Sequence, residues 1–598
     1  MTYDLLYTFK NYFKDNKVVL DTYKMQDGIY FLVKKDDTIE KLIVEKGEPD
    51  NSELYEYLKE KDFYSKCLNS NKALDTKYEE KIDNVKYNTM KKIFSNNIYT
   101  LFFKNESCTD FTNDLKSEAI PTNIFEKGII KYYESLKNLG KSKEEIGIIN
   151  DGYTDEEIEI YKEKMIYIFK TIGKKLTDEE KLKKATWIKV FIDNSNEEYE
   201  RVSNFYIRTK LFNTNKNNIK QNGDIFGANN YNFGCNSKKP YLELKTTPFK
   251  VGSLVSIRDI DVMNKIYLWL YNNGINESVL KLPVDWEFKG IPQSEQNISN
   301  KDLFILKVNG NNGVAKIEDF DYKSSFNTEI RLFTCKDYMR HKENDFTTSN
   351  IYGLEWYTNN TWISNTSKDN KRNYIRESYY DFEKKKISKS LIANWKKELL
   401  QKYSQAFFYL FQREERNIFL QNLDNIASEV VERTLVDDLN LGIKFTNNSK
   451  RAMNLWIAFK DYFNEKGESE EMKLNNIQEK CKNIVLEGNT IETDEEYYFL
   501  MGQVAYYLLS RSKASKLTQD VTEPFIKAAN ITVLKKELRD LYEKYNYDIY
   551  LKDKRFNNVF SQILVQEPES EVRKNKNIIL AGMLSNNLFY NGGIKDDE

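Results

Sequence analysis

Thr493-Asp-Glu-Glu-Tyr-Tyr-Phe-Leu-Met-Gly-Gln-Val-Ala-Tyr-Tyr-Leu-Leu-Ser-Arg511 reads as one amphipathic helix. Thr493 and Glu496 stand three residues apart, the spacing of a capping box. In that motif a hydroxyl accepts the N3 amide and a carboxylate reaches back to the N-cap amide. Leu500, Val504, Tyr507, Leu508 and Arg511 then recur every three or four residues. The same period appears upstream, at Leu391, Trp395, Leu399, Tyr403 and Phe407. It returns downstream over Leu534–Tyr545, Phe556–Leu564 and Asn577–Tyr590. No proline falls between Pro292 and Pro524, which permits long helices there. Asn447-Asn448-Ser449 reads as a breaker. From about Ser378 onward the pattern predicts a helical bundle.

The front of the chain is different. Ile29–Lys34 and Thr38–Glu45 are β-rich runs joined by Lys35-Asp36-Asp37, a hairpin signal. Phe304–Val308 and Val314–Ile317 flank Asn309-Gly-Asn-Asn-Gly313, a stronger one, because Gly and Asn tolerate positive φ. Trp187–Asp193 and Tyr199–Arg208 also read as extended, and Glu156–Lys170 as helical. The expected class is α+β, with an irregular mixed α/β portion over 1–375 and an α-helical bundle over 376–598. A further subdivision near 130–185 is open.

The chain has 598 residues, enough for several cores. Its 91 basic and 92 acidic residues nearly cancel, so regional charge must decide about partners. The single histidine, His341, lies in the charged run Arg340-His341-Lys342-Glu343. A Ser-His-Asp triad or a His-cluster metal site is therefore not expected. The five cysteines are far apart and form no C-x-x-C, which argues against a zinc knuckle or a disulfide framework. The longest apolar run, Tyr497–Leu509, falls short of the ~20 residues of a membrane span. The N-terminus lacks the pattern of a signal peptide. A cytoplasmic protein, with no membrane partner and no cofactor, is the expectation.

Three places invite a chemical reading. Gly140-Lys141-Ser142 looks like the end of a P-loop, but Ser135 stands where the first glycine belongs. Asp259-Ile260-Asp261 is a D-x-D that could hold a divalent metal, with Arg258 beside it able to neutralise one carboxylate. The third, Arg201–Arg258, carries ten basic residues against Asp224 and Glu243, a local +8 in a chain of −1. Within it lies Gly227-Ala-Asn-Asn-Tyr-Asn-Phe-Gly-Cys-Asn-Ser-Lys-Lys-Pro240. Its glycines allow close backbone approach, Asn and Lys suit base edges and phosphates, and Tyr231 and Phe233 suit stacking. A solvated lysine-rich loop explains the same composition. A second run, Lys368–Lys402, carries +6 and includes Trp395; the polar face of a long helix would account for it.

Phe226-Gly-Ala-Asn-Asn-Tyr-Asn-Phe-Gly-Cys-Asn-Ser-Lys-Lys-Pro-Tyr-Leu-Glu-Leu-Lys245 resembles the central motif of the large subunit of type I-B CRISPR effector complexes. Tyr497–Ser515, Glu523-Pro-Phe525, Arg555-Phe-Asn-Asn558 and Ala581–Phe589 resemble the same family, in order. The resemblance covers about 220–590. It implies a non-catalytic subunit of a crRNA-guided Cascade complex, which reads a protospacer-adjacent motif (PAM) in target double-stranded DNA. Such a subunit aids strand opening and recruits a helicase–nuclease, while guide pairing supplies the remaining specificity. Its other partners would be the backbone and crRNA-end subunits and a small subunit. In the family that small subunit can be an internal translation product, here starting at Met453 or Met472.

Carried over residue by residue, the DNA-binding candidates are Asn229, Asn230, Asn232, Asn236, Lys238, Lys239, Lys245, Lys250 and Arg258. Arg511 and Lys513 on the bundle join them. Asn232 and Asn236 come first for base edges, because an amide both donates and accepts. No catalytic or metal residue is implied. The alternative from a different class is a stand-alone metal-dependent nuclease or nucleotidyl enzyme using Asp259 and Asp261.

Overall fold

The computed structural model describes residues 2–45, 52–68, 72–82, 84–89, 93–107, 122–142, 147–148, 152–177, 186–228, 254–275, 278–292, 298–311, 314–340, 344–364, 372–379, 392–440, 447–464, 467, 469–511, 528, 530–546, 549 and 553–590. Over these residues the class is α+β. The chain forms two compact units, Met1–Pro292 with Phe304–Tyr322, and Gln293–Leu303 with Lys323–Glu598. The 375/376 division read from the sequence lies within the second unit, and 130–185 within the first.

The first unit opens with α1 (Thr2–Phe9) and α2 (Lys17–Thr22). The expected hairpin follows as β1 (Gly28–Val33) and β2 (Ile39–Val44), with Gly28 opposite Val44 and Val33 opposite Ile39. Asp37, at φ 62, makes the turn. After α3 (Glu53–Ser65) a small hairpin pairs β3 (Glu79–Ile82) with β4 (Val85–Asn88). β5 (Thr100–Lys104), α4 (Thr122–Lys137), α5 (Asp155–Thr177) and β6 (Trp187–Ile192) complete the main layer. β6 runs parallel to β1 and antiparallel to β5, so the sheet order is β2-β1-β6-β5. β1 is buried at every position, as a strand covered on both faces should be. Phe125 of α4 and Phe169 of α5 share one core with Tyr30, Phe103 and Phe191.

Tyr199–Arg208 is not extended. It lies inside α6 (Asn196–Lys210), capped by Ser195, whose hydroxyl accepts from the Glu198 amide. Tyr199, Val202, Phe205, Tyr206 and Thr209 are buried along one helical face. The aromatic and β-branched content resembled a strand, but the spacing is that of a helix. Next come β7 (Ile219–Gln221), β8 (Asp224–Ala228), β9 (Leu254–Ser256) and α7 (Ile257–Asn272). The last sheet, β10 (Ser278–Pro283), β11 (Lys301–Asn311) and β12 (Val314–Phe326), contains the expected Asn/Gly hairpin. It buries Phe304 and Leu306 against Phe9, Phe13 and Trp269.

The second unit begins with the antiparallel pair β13 (Glu329–Cys335) and β14 (Phe346–Asn350) and is helical thereafter. Its helices are α8 (Ile351–Thr358), α9 (Tyr374–Ser378), α10 (Asn394–Arg413), α11 (Asn417–Asn440), α12 (Asn447–Phe463), α13 (Glu470–Glu487), α14 (Asp494–Ser510), α15 (Ile531–Tyr545), α16 (Lys554–Val565) and α17 (Lys576–Leu584). The Thr493–Glu496 capping box forms in both directions. Asn447-Asn448-Ser449 does not break a helix; it is the first turn of α12. The Asp438 carboxylate accepts from the Ser449 amide and hydroxyl, both at 3.0 Å, and so satisfies that helix end. The helix expected over Asn577–Tyr590 stops at Leu584. Beyond it, the Asn587 side chain donates to the Gln503 carbonyl (2.9 Å) and the Leu588 amide to Gln503 Oε1 (2.8 Å), which draws the chain out of helical register. No helix among the described residues is long and apolar enough to cross a membrane.

Candidate nucleic-acid interface

The candidates Asn229, Asn230, Asn232, Asn236, Lys238, Lys239, Lys245 and Lys250 lie outside the described residues, as do Lys513 and His341. Their point of attachment is described. Ala228 ends β8 and Leu254 begins β9, and the two residues face each other in an antiparallel pair. The chain therefore leaves and re-enters the sheet at one point, the shared end of the β8–β9 pair. Both strand ends are pinned. The Asn213 amide donates to the Ala228 carbonyl at 2.8 Å, and the Tyr3 hydroxyl donates to the Leu254 carbonyl at 2.9 Å. Burial and neighbouring Asp259 push the Tyr3 hydroxyl above its usual pKa, so it keeps the donated proton.

Behind this root, the Lys72 amine donates to the carbonyls of Phe212 (2.8 Å) and Asn213 (3.3 Å). Burial, helped by Lys210, pulls Lys72 down to about 8. At Gly227, β8 meets the Phe212 ring and the Asn218 side chain so closely that a Cβ would collide with both. Ile225, Val255, Ile260 and Met263 form a small core beneath the sheet. Around it, Arg208, Lys216, Lys220 and Arg258 are exposed. Arg258 is the second residue of α7. The arrangement is a rigid mount for a segment with four lysines and one glutamate over 229–253.

The D-x-D lies on a helix. Asp259 and Asp261 lie in the first turns of α7, where Ser256 caps the helix by accepting the Asp259 amide at 3.1 Å. Residues two apart on a helix point about 200° away from each other, so the two carboxylates diverge. Asp261 instead pairs with Lys265, one turn on, at 3.0 Å. Among the described residues no group of three or more His, Cys, Asp or Glu could hold a metal ion.

Arg511 ends α14 as a half-buried residue. Its guanidinium lies over the Tyr507 ring, 4.4 Å from the centroid, donates to the Tyr507 hydroxyl at 2.6 Å, and is 6.0 Å from the Tyr590 ring. In the second basic run, Trp395 donates its indole N–H to Asp437 at 3.0 Å, and the Lys396 amine is buried against the Ile363 carbonyl at 2.7 Å. These two side chains are thus taken up inside the second unit. Sequence reading missed Tyr3 and Lys72, whereas the close backbone approach expected of the glycines in 227–240 is met at Gly227. Lys72 and Tyr3 act on carbonyls 140 and 251 residues away, which leaves no local signal.

Comparisons of the chain with protein-family models, with curated proteins and with solved structures give no match.

Proposed function

We propose that this chain is the non-catalytic large subunit of a type I-B CRISPR surveillance complex. It reads the adjacent motif in duplex DNA, aids strand opening and recruits the helicase–nuclease. The support is the ordered set of sequence strings from 226 to 589, together with one structural observation. The Asn- and Lys-rich segment 229–253 is anchored at a single pinned point, Ala228 opposite Leu254. Base reading needs donors and acceptors held in register against a duplex. A segment whose two ends are fixed together on a sheet loses less entropy on binding than one hung from separate elements. The divergence of Asp259 and Asp261 on α7 removes support from the metal-enzyme alternative.

The test is binding by the assembled complex of this chain, its guide RNA and the other subunits. Duplexes with the correct adjacent motif should bind more tightly than duplexes with an altered one. Equal binding of both would refute the reading.

A further inference from the structure

Five asparagines in the chain are followed by glycine, and three of these pairs lie among the described residues, at Asn222, Asn273 and Asn309. Glycine has no side chain to shield its backbone nitrogen, so that nitrogen can reach the carboxamide carbon of the preceding asparagine. What holds the two groups decides whether it does. Asn273 donates through Nδ2 to the Trp269 carbonyl at 2.8 Å, and the Gly274 amide donates to the Tyr271 carbonyl at 2.9 Å. Asn309 lies inside β11 and donates through Nδ2 to Glu318 at 2.7 Å. Asn222 and Gly223 differ from both. They form the two-residue turn of the β7–β8 hairpin, with Gln221 opposite Asp224, Asn222 at φ 51 and Gly223 at φ 77. Gln221, Asn222 and Gly223 are exposed. Apart from its chain neighbours, nothing lies within 4 Å of where a Gly223 Cβ would stand. Among the described residues no hydrogen bond engages the Asn222 side chain or the Gly223 amide.

We infer that Asn222 is a site of spontaneous deamidation. Hydroxide removes the Gly223 amide proton, and the nitrogen attacks Asn222 Cγ. The new C–N bond closes a cyclic imide, the bond from Cγ to Nδ2 breaks, and ammonia leaves. Water then opens the ring at either carbonyl, which gives aspartate or isoaspartate. One water is consumed for each ammonia released, and nothing is oxidised or reduced. Ring closure requires the Asn222 backbone to swing out of the turn. β7 is three residues long and exposed at every position, so few contacts oppose that local opening. The product places a carboxylate on a face that carries the exposed Lys216 and Lys220. In its isoaspartate form it also lengthens the backbone of a two-residue turn by one carbon.

The test is incubation of the purified full-length chain in warm, mildly alkaline buffer, followed by proteolysis and peptide mass spectrometry. Fragment masses should show the amide-to-acid gain at Asn222 well before Asn273 or Asn309. Its rate should rise with pH, as removal of an amide proton requires. An isoaspartyl methyltransferase with labelled S-adenosylmethionine should mark the same peptide. Asn222→Gly, which the positive φ tolerates and which has no carboxamide, should remove both signals from that peptide and leave those at Asn273 and Asn309 unchanged. In concentrated urea, where the same asparagine–glycine chemistry operates without the fold, the three sites should react at similar rates. An Asn222 that stays intact in the folded chain overturns the inference. So does reaction of Asn273 or Asn309 at the same rate in the folded chain, because their engaged amides would then protect nothing. A lead for Asn222 that persists undiminished in urea overturns the role given to the hairpin turn.

Discussion

Gly502 of α14 and Gly582 of α17 let two helix backbones touch. A Cβ on Gly502 would run into the Ile579 carbonyl and stand 2.9 Å from the Met583 amide, and one on Gly582 would run into the Phe499 carbonyl. Gln503 donates to the Gly582 carbonyl at 2.5 Å, so the crossing is hydrogen-bonded as well as packed. In an exposed helix Gly→Ala stabilises by about 1 kcal/mol. Here the obstructing atoms are backbone and cannot rotate away. Gly502→Ala should therefore destabilise the chain by about 3 kcal/mol, the upper end of overpacking costs. Urea unfolding decides the sign, and a gain in stability would exclude this packing.

Asp62 and Lys189 form an ion pair at 2.7 Å inside the first unit, with side chains 0% and 1% exposed. Tyr23 donates to the other Asp62 oxygen at 2.7 Å, and the amine lies 4.9 Å from the Tyr30 ring centroid and 4.8 Å from that of Phe102. Removing one partner leaves a buried uncompensated charge, which costs roughly 3–5 kcal/mol. Asp62→Leu should destabilise on that scale. The double variant Asp62→Leu with Lys189→Met should recover most of the loss, a coupling that denaturant titrations of all four proteins would measure.

Lys238→Ala with Lys239→Ala should weaken duplex binding by the assembled complex and reduce the salt slope by about 1 for each phosphate no longer neutralised. Asn232→Ala or Asn236→Ala should instead narrow the difference between correct and altered motifs by roughly 1–3 kcal/mol. Titrations on both duplexes at several salt concentrations separate the two effects. Unchanged slope and unchanged discrimination in every variant would remove DNA binding from this segment.

Burial pulls the Lys396 amine from its ordinary 10.5 to about 8, against the opposing pull of Asp437 and Asp438. Below pH 8 the native and unfolded chains both hold the proton, and the burial penalty stands in full. Between about pH 8 and 10.5 the native chain releases it first, so the unfolded state binds more protons and stability rises with pH. The rise from this one group should be roughly 2–4 kcal/mol. Lys396→Met should flatten it. Above about pH 10 the buried hydroxyls of Tyr132 and Tyr133, pushed well up by burial, act in the opposite sense. Urea midpoints at stepped pH would check both limbs.

Met453 is fully buried within α12, whereas Met472 is 60% exposed in the first turn of α13. A product beginning at Met453 would discard the turn that Asp438 caps. One beginning at Met472 keeps nearly all of α13 and the whole of α14–α17. If an internal product joins the complex, intact-mass measurement should therefore find it starting at Met472. Detection of the full-length chain alone would end the idea.

Local order determined much of the fold. The Thr493–Glu496 box, the β1–β2 turn and the Asn/Gly hairpin join near neighbours, and hydroxyl, carboxylate and glycine chemistry at short spacing specifies them without help. The family resemblance and the basic character of 201–258 are likewise properties of the string. Tertiary structure decided the rest, because the energies involved are long-range. Asn447-Asn448-Ser449 became a helix start because Asp438, at the end of the preceding helix, supplied the cap. The mount beneath 229–253 needed Tyr3 and Lys72, and the fate of Asp259 and Asp261 was set by a helix that turns adjacent carboxylates apart. A sequence carries the donors and charges, and only folding decides which of them meet.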